Sequence, residues 1–249
     1  MNGVGPEILL NSLQNKELLS LCTPVIYGPV KNLNYTLSHL GYDISLNKIS
    51  SAEQSQEGKI NVVDIFKNPP EISFGVLNKE MGVAAFDSIK KGVKDLKEGK
   101  IDVLVTLPIN KEATHSDSFR FMGHTDYIDS EIEGGSTMMM VSNDLRVALL
   151  TEHIPVSKVT DSITVDLVIN KVQALNQTLM RDFQIEQPKT AILAIDPHVG
   201  DGGVIAENDK KLIVPAVKKL QDSGVLVYGP FSADSFFGSE KYKKYDLII

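Results

Sequence analysis

"TAILAIDPHVGDGGVIAENDKKLIVPAVKKL", Thr190 to Leu220, decides how the fold is read. Its first six residues form a short apolar run, the pattern of a strand covered on both faces. From Asn208 to Leu220 the apolar residues recur at helical spacing, with lysines between them. Strand, loop and helix therefore follow one another, and open α/β sheets bind ligands beyond the C-terminal ends of their strands. His198 stands in that loop, between Pro197 and the glycines Gly200, Gly202 and Gly203. Glycine alone turns a chain, so the imidazole is either incidental or chemical.

The same alternation extends in both directions. "TPVIYG" (Thr23–Gly28), "INVVD" (Ile60–Asp64), "IDVLVT" (Ile101–Thr106), "TMMMVS", "RVALLT" and "VLVYG" read as further strands. Glu80–Glu98 sets Val83, Phe86, Ile89, Val93 and Leu96 on one helical stripe, and Val165–Met180 behaves alike. "MNGVGPEILLNSL" enters a helix at once, with Pro6 near its first position. Elements taking turns in this way predict an α/β architecture with a substantial parallel component. Ser142-Asn143-Asp144 joins two strands and predicts an antiparallel hairpin set into it. "SSAEQSQEG" reads as a surface loop.

At 249 residues the chain is long enough to bury a sizeable core. A formal net charge of -7 argues against a nucleic-acid partner, because no basic face offsets phosphate repulsion. Cys22 is the single cysteine, so no internal disulfide forms, which fits a reducing compartment. The apolar runs are too short to span a bilayer, and no signal peptide is read. A cytoplasmic protein is expected.

Four places can carry chemistry. His198 is the first. His153, in "LLTEHIPVSKV", likewise follows an apolar strand and is held by Pro155. Two imidazoles at strand ends suit a divalent ion such as zinc, although a catalytic zinc usually takes three protein ligands. The third place is "TLPINKEATHSDSFRFMGHTDYI", with Lys111, His115, Arg120, His124 and Thr125. There Thr125 resembles a helix N-cap, and Lys111, His124 and Thr125 near a helix start suit a phosphate or carboxylate. His115 and Arg120 read as polar loop residues. Asp234, in "GPFSADSFF", follows a strand, where an aspartate alone is more often a turn former than a catalyst. The glycines of "NGVGPE" match no dinucleotide fingerprint.

Taken in order, "NGVGPEI", "TPVIYG", "TLPINK", "MGHTDYI", "MMMVSNDLRVALLTEHIP", "DPHVGDGG", "GPFSADSFF" and the final "YDLII" resemble the 4-hydroxythreonine-4-phosphate dehydrogenase family of pyridoxal phosphate biosynthesis. The resemblance implies a two-lobed fold like isocitrate and isopropylmalate dehydrogenases, with lobes at about 1–105 with 190–249 and 106–189. The central lobe, with the strands near Met139 and Leu149, would form a homodimer with a shared active site. The implied reaction is NAD- or NADP-dependent oxidation of 4-hydroxythreonine 4-phosphate and loss of carbon dioxide, giving 3-amino-2-oxopropyl phosphate. A divalent ion (zinc, magnesium or cobalt) would act as Lewis acid.

Carried over by position, His153 and His198 match two of the family's three metal-binding histidines. His124 and Thr125 match its substrate-binding pair, Asp234 an active-site aspartate, and Lys111 a nearby lysine suited to proton transfer or charge stabilisation. Asp196 stands where the family usually has asparagine, Val199 where it has a small residue, and Ala206 where it has glycine. A strand before Asn2 and the third metal histidine after "YDLII" lie outside the sequence, so a chain truncated at both ends is expected. Two other readings stand beside the first: a dehydrogenase of a phosphorylated four-carbon sugar acid, and a non-catalytic dimeric remnant or binding protein.

Overall fold

The computed structural model describes residues 1–115, 121 and 123–249, and the chain divides into two compact units, Met1–Gly135 and Ser136–Ile249. The first holds a three-stranded parallel sheet of β1 (Val25–Tyr27), β2 (Leu46–Ile49) and β3 (Ile60–Val63), with β3 in the middle. All four residues of β3 are buried, as its central place requires. The opening helix, Gly5–Ser12, contributes Leu13 just past its end to a core with Ile26, Leu33, Ile60 and Val62.

The helix Lys79–Lys97 starts where the Asn78 side chain accepts a hydrogen bond from the Met81 amide at 3.1 Å. Phe86, Ile89 and Val93 of the expected stripe are buried in a second cluster with Tyr127, whereas Val83 is exposed. Its Asp95 carboxylate is fully buried, paired with Lys91, and accepts the Tyr27 hydroxyl at 3.0 Å.

Two strand expectations change here. Ile101–Thr106 is apolar but joins no ladder. Leu104 packs inward while Val103 and Val105 are 72% and 80% exposed. The sequence has strand character, but a strand forms only when a second backbone takes its hydrogen bonds. Conversely, β2 was not expected. It is short, and its Asn47 and Lys48 mask the apolar signal, yet β3 gives it a complete partner edge.

The second unit holds a five-stranded mixed sheet in the order β4-β5-β8-β6-β7, from β4 (Met139–Ser142), β5 (Leu145–Ala148), β6 (Thr190–Leu193), β7 (Val227–Phe231) and β8 (Leu247–Ile248). β4 and β5 form the expected antiparallel hairpin, and the remaining pairs are parallel. The helix Val165–Asp182 begins at Thr164, whose hydroxyl accepts the Leu167 amide at 3.1 Å. It buries Val168, Val172, Leu175 and Leu179 along one stripe against Ile192, Val227 and Leu247. Each such side chain contributes about 1.5–3 kcal/mol by leaving water. Among the described residues no helix is long and apolar enough to cross a membrane.

Candidate active site

In the second unit, β6 delivers the chain to an unusual loop. His198, Val199, Gly200, Asp201 and Gly202 all have left-handed backbone, with φ between 45° and 75°. A non-glycine residue there costs about 1–2 kcal/mol, and a β-branched one such as Val199 is the least suited. The neighbours hold the loop in that shape. The Ile205 amide donates to the Gly200 carbonyl at 3.1 Å, and a Cβ on Gly200 would lie 2.2 Å from the Ala206 carbonyl oxygen.

Two buried carboxylates close the neck of the loop. Asp209 accepts the Ile195 and Asp196 amides, each at 2.9 Å. Asp196 in return accepts the Asn208 amide at 2.9 Å, the Asn208 Nδ2 at 2.8 Å and the Asp209 amide at 3.4 Å. His198 is thereby carried, exposed, on a fixed base.

β7 neighbours β6, so its following loop opens at the same end of the sheet. Asp234 stands there, exposed, in the first turn of the helix Ala233–Gly238. The Ser232 hydroxyl donates to it at 2.6 Å and the Ser235 amide at 2.7 Å. These bonds, then the nearby His198, hold its carboxyl below the usual carboxylate range.

His153 follows β5 and is also exposed with a left-handed backbone, φ 56°. Its neighbour Glu152 is tied down by Lys171 at 3.8 Å. Both candidate imidazoles thus occupy strained backbone, the kind of position that persists only when surrounding structure enforces it.

The donor type suits a borderline divalent ion, but the set is incomplete. Among the described residues no group of three His, Cys, Asp or Glu side chains comes together to hold a metal. Two imidazoles alone leave a tetrahedral or octahedral ion short of ligands, as the expectation of a third histidine beyond "YDLII" already implies.

In the first unit, Lys111 opens the short helix Lys111–Thr114 and is exposed. Asn110 caps that helix by accepting the Ala113 amide at 2.9 Å. The helix Lys79–Lys97 approaches it so closely that a Cβ on Gly82 would lie 1.9 Å from the Ala113 carbonyl oxygen. A cavity of about 210 Å³ opens beside this contact, lined by Asn2, Gly5, Asn78, Gly82, Asn110 and Thr114 among others. Asn2 is 9% exposed, donates to the Val76 carbonyl at 2.9 Å and accepts the Ser73 amide at 3.0 Å. The "NGVGPE" turn, which the fingerprint comparison sets aside, therefore lines a cavity. Its glycine pair before Pro6 was the available signal.

His124 is the first residue of the helix His124–Glu131, and its Nδ1 is buried without a hydrogen-bond partner among the described residues. Such a nitrogen costs about 1–3 kcal/mol until something meets it, which suits a residue awaiting a polar ligand. Thr125 is exposed and is not the N-cap expected of it. The helix begins two residues earlier than that cap would place it, with Gly123 in extended backbone at the cap and no side-chain bond there. His115 is exposed at the end of the Lys111–Thr114 helix, and Arg120 lies outside the described residues.

A sequence model of the family "Pyridoxal phosphate biosynthetic protein PdxA" matches residues 20–249. The 4-hydroxythreonine-4-phosphate dehydrogenase of Bacteroides thetaiotaomicron is 36% identical over 251 aligned residues, covering 100% of this chain and 69% of that protein. A Clostridium botulinum protein, provisionally named a D-threonate 4-phosphate dehydrogenase, is 30% identical over 99% of this chain and 75% of its own length. The crystal structure of a 4-hydroxythreonine-4-phosphate dehydrogenase from Burkholderia phymatum superposes with a TM-score of 0.86 at 31% identity, covering 99% of this chain and 76% of that one.

Proposed function

The chain belongs to the PdxA family of pyridoxal phosphate biosynthesis, and from that premise we propose that it oxidises and decarboxylates 4-hydroxythreonine 4-phosphate with NAD or NADP. Its relatives are named dehydrogenases, which makes the chain an oxidoreductase by family. The observation that carries the substrate is the 36% identity along the whole chain to a relative of that name.

When bound, a nicotinamide supplies the hydride acceptor. The remaining work falls to the chain. His124 and Thr125 bind the substrate, with the Nδ1 of His124, unpartnered among the described residues, meeting a polar atom of it. Lys111 takes the hydroxyl proton or stabilises the charge left on oxygen. The resulting 3-oxo acid loses carbon dioxide, and the electron pair of the broken carbon–carbon bond moves into the neighbouring carbonyl until carbon is reprotonated. In the second unit Asp234, ionised beside His198, offers an anionic group at the loops after β6 and β7. His153 and His198 serve as imidazole donors to a divalent ion whose further ligands come from outside the described residues, and no step is assigned to that ion.

A homodimer belongs to the same reading. β4 is an edge strand whose Met140 and Val141 are 45% and 54% exposed, an apolar edge of the kind proteins cover. The Clostridium botulinum relative favours one other substrate, D-threonate 4-phosphate, which lacks the amine.

The experiment is NADH formation by the purified protein with each substrate in turn and a divalent ion present. Turnover of 4-hydroxythreonine 4-phosphate in preference to D-threonate 4-phosphate supports the first reading, and the reverse order supports the second. NADH from neither contradicts both.

A further inference from the structure

We propose that Asp209 is a positioning residue for His198, an inference that rests on the assignment of His198 to the active site. Asp209 is 1% exposed and lies eleven residues beyond His198, at the start of the helix that returns along the sheet. Both of its oxygens accept main-chain amides, Ile195 on one and Asp196 on the other, each at 2.9 Å. Those amides belong to the last two residues before Pro197, which has no amide hydrogen to give. Every main-chain donor between the end of β6 and His198 is therefore accounted for: Ala194 donates to the Phe231 carbonyl at 2.7 Å, and Ile195 and Asp196 donate to Asp209. The left-handed run that begins at His198 starts from this pinned base.

Asp196, 8% exposed, completes the clasp from the other side but is not equivalent. One of its oxygens accepts the Asn208 and Asp209 amides, while the other accepts only the Asn208 side chain at 2.8 Å. A side-chain amide can turn over and present its oxygen instead of its NH2. Asp196→Asn therefore keeps every bond after Asn208 flips. Asp209→Asn cannot, since its new NH2 must face a main-chain N–H that has no other acceptor. Two isosteric changes in one clasp thus have opposite predicted outcomes. A role confined to general stability gives no reason for His198 in particular to respond.

The test uses the whole chain, Asp209→Asn and Asp196→Asn, followed by NMR of the histidine side chains and by amide hydrogen exchange. In Asp209→Asn the His198 imidazole signals shift or broaden while those of His39 in the first unit hold. The Ile195 and Asp196 amides exchange about tenfold faster or more. In Asp196→Asn both readouts stay close to those of the unaltered chain. Unchanged His198 signals and exchange in Asp209→Asn overturn the proposal, as does an equal disturbance in Asp196→Asn. Should Asp209→Asn not fold, the unaltered chain decides: free exchange at Ile195 and Asp196 overturns the proposal, and strong protection with a quiet Asp196→Asn supports it. Titration of the unaltered chain with cobalt(II) alone keeps the two assignments apart. If His198 ignores cobalt, the metal reading falls, while the positioning result still stands on its own signals.

Discussion

The Asp234 carboxylate lies close enough to the His198 imidazole to feel its charge, and the two residues come from loops after neighbouring parallel strands, β7 and β6. Strand adjacency puts both loops at one sheet end, where an anionic and an imidazole side chain can share a substrate. Asp234→Asn keeps the shape and removes the charge. It is expected to lower turnover by about a hundredfold and to leave the melting temperature within a degree or two, because the carboxylate is exposed. Steady-state rates with a parallel thermal melt check this. Undiminished turnover removes Asp234 from the site.

The Gly82 contact governs how the Lys111 helix sits. A methyl there meets the Ala113 carbonyl at 1.9 Å, and backbone rather than a flexible side chain must give way. Gly82→Ala is expected to cost about 1–3 kcal/mol in urea unfolding and to lower activity with it. Gly238→Ala, where a Cβ meets nothing within 4 Å, is the control and stays within about 0.5 kcal/mol.

Tyr27 makes stability fall at alkaline pH. Burial, then its bond to Asp95 and the charge of that carboxylate, raise its pKa well above the ordinary tyrosine value near 10. The unfolded chain therefore releases this proton while the folded chain still holds it. The stabilisation is complete below about pH 10 and is lost as pH rises from there toward the folded pKa. Urea midpoints measured at about pH 9 and pH 11 should fall less in Tyr27→Phe than in the unaltered chain. An equal fall in both contradicts the linkage.

The apolar edge of β4 predicts an oligomer. Met140→Lys places a charge on that edge and is expected to turn a dimer into a monomer in sedimentation velocity, with the fold retained. A monomeric unaltered chain, or a dimer indifferent to the charge, contradicts the assignment of this face.

The alternation of elements, the β4–β5 hairpin and the strand–loop–helix around His198 were legible because each rests on local periodicity or turn chemistry. Ile101–Thr106 and β2 were misjudged for one shared reason: a ladder depends on what the neighbouring backbone offers, which a single segment does not encode. The Asp196–Asp209 clasp was hidden because its partners are separated by a loop whose left-handed course runs through His198, Val199 and Asp201, residue types that do not announce it. The cap expected at Thr125 lies two residues earlier, since Gly123 adopts the cap geometry without the side-chain bond that marks a cap in sequence.

On the proposed function, His153 and His198 serve one reaction from two strained positions. Glycine at either site removes the imidazole and relieves the left-handed backbone, so neither His153→Gly nor His198→Gly should destabilise the fold by more than about 1 kcal/mol. The decisive measurement is NADH formation by these two variants and by the double variant. Residues that act as one unit are not additive: each single change should lower turnover by about a hundredfold or more, and the double change should add little. Near-normal turnover in either folded single variant would contradict the account.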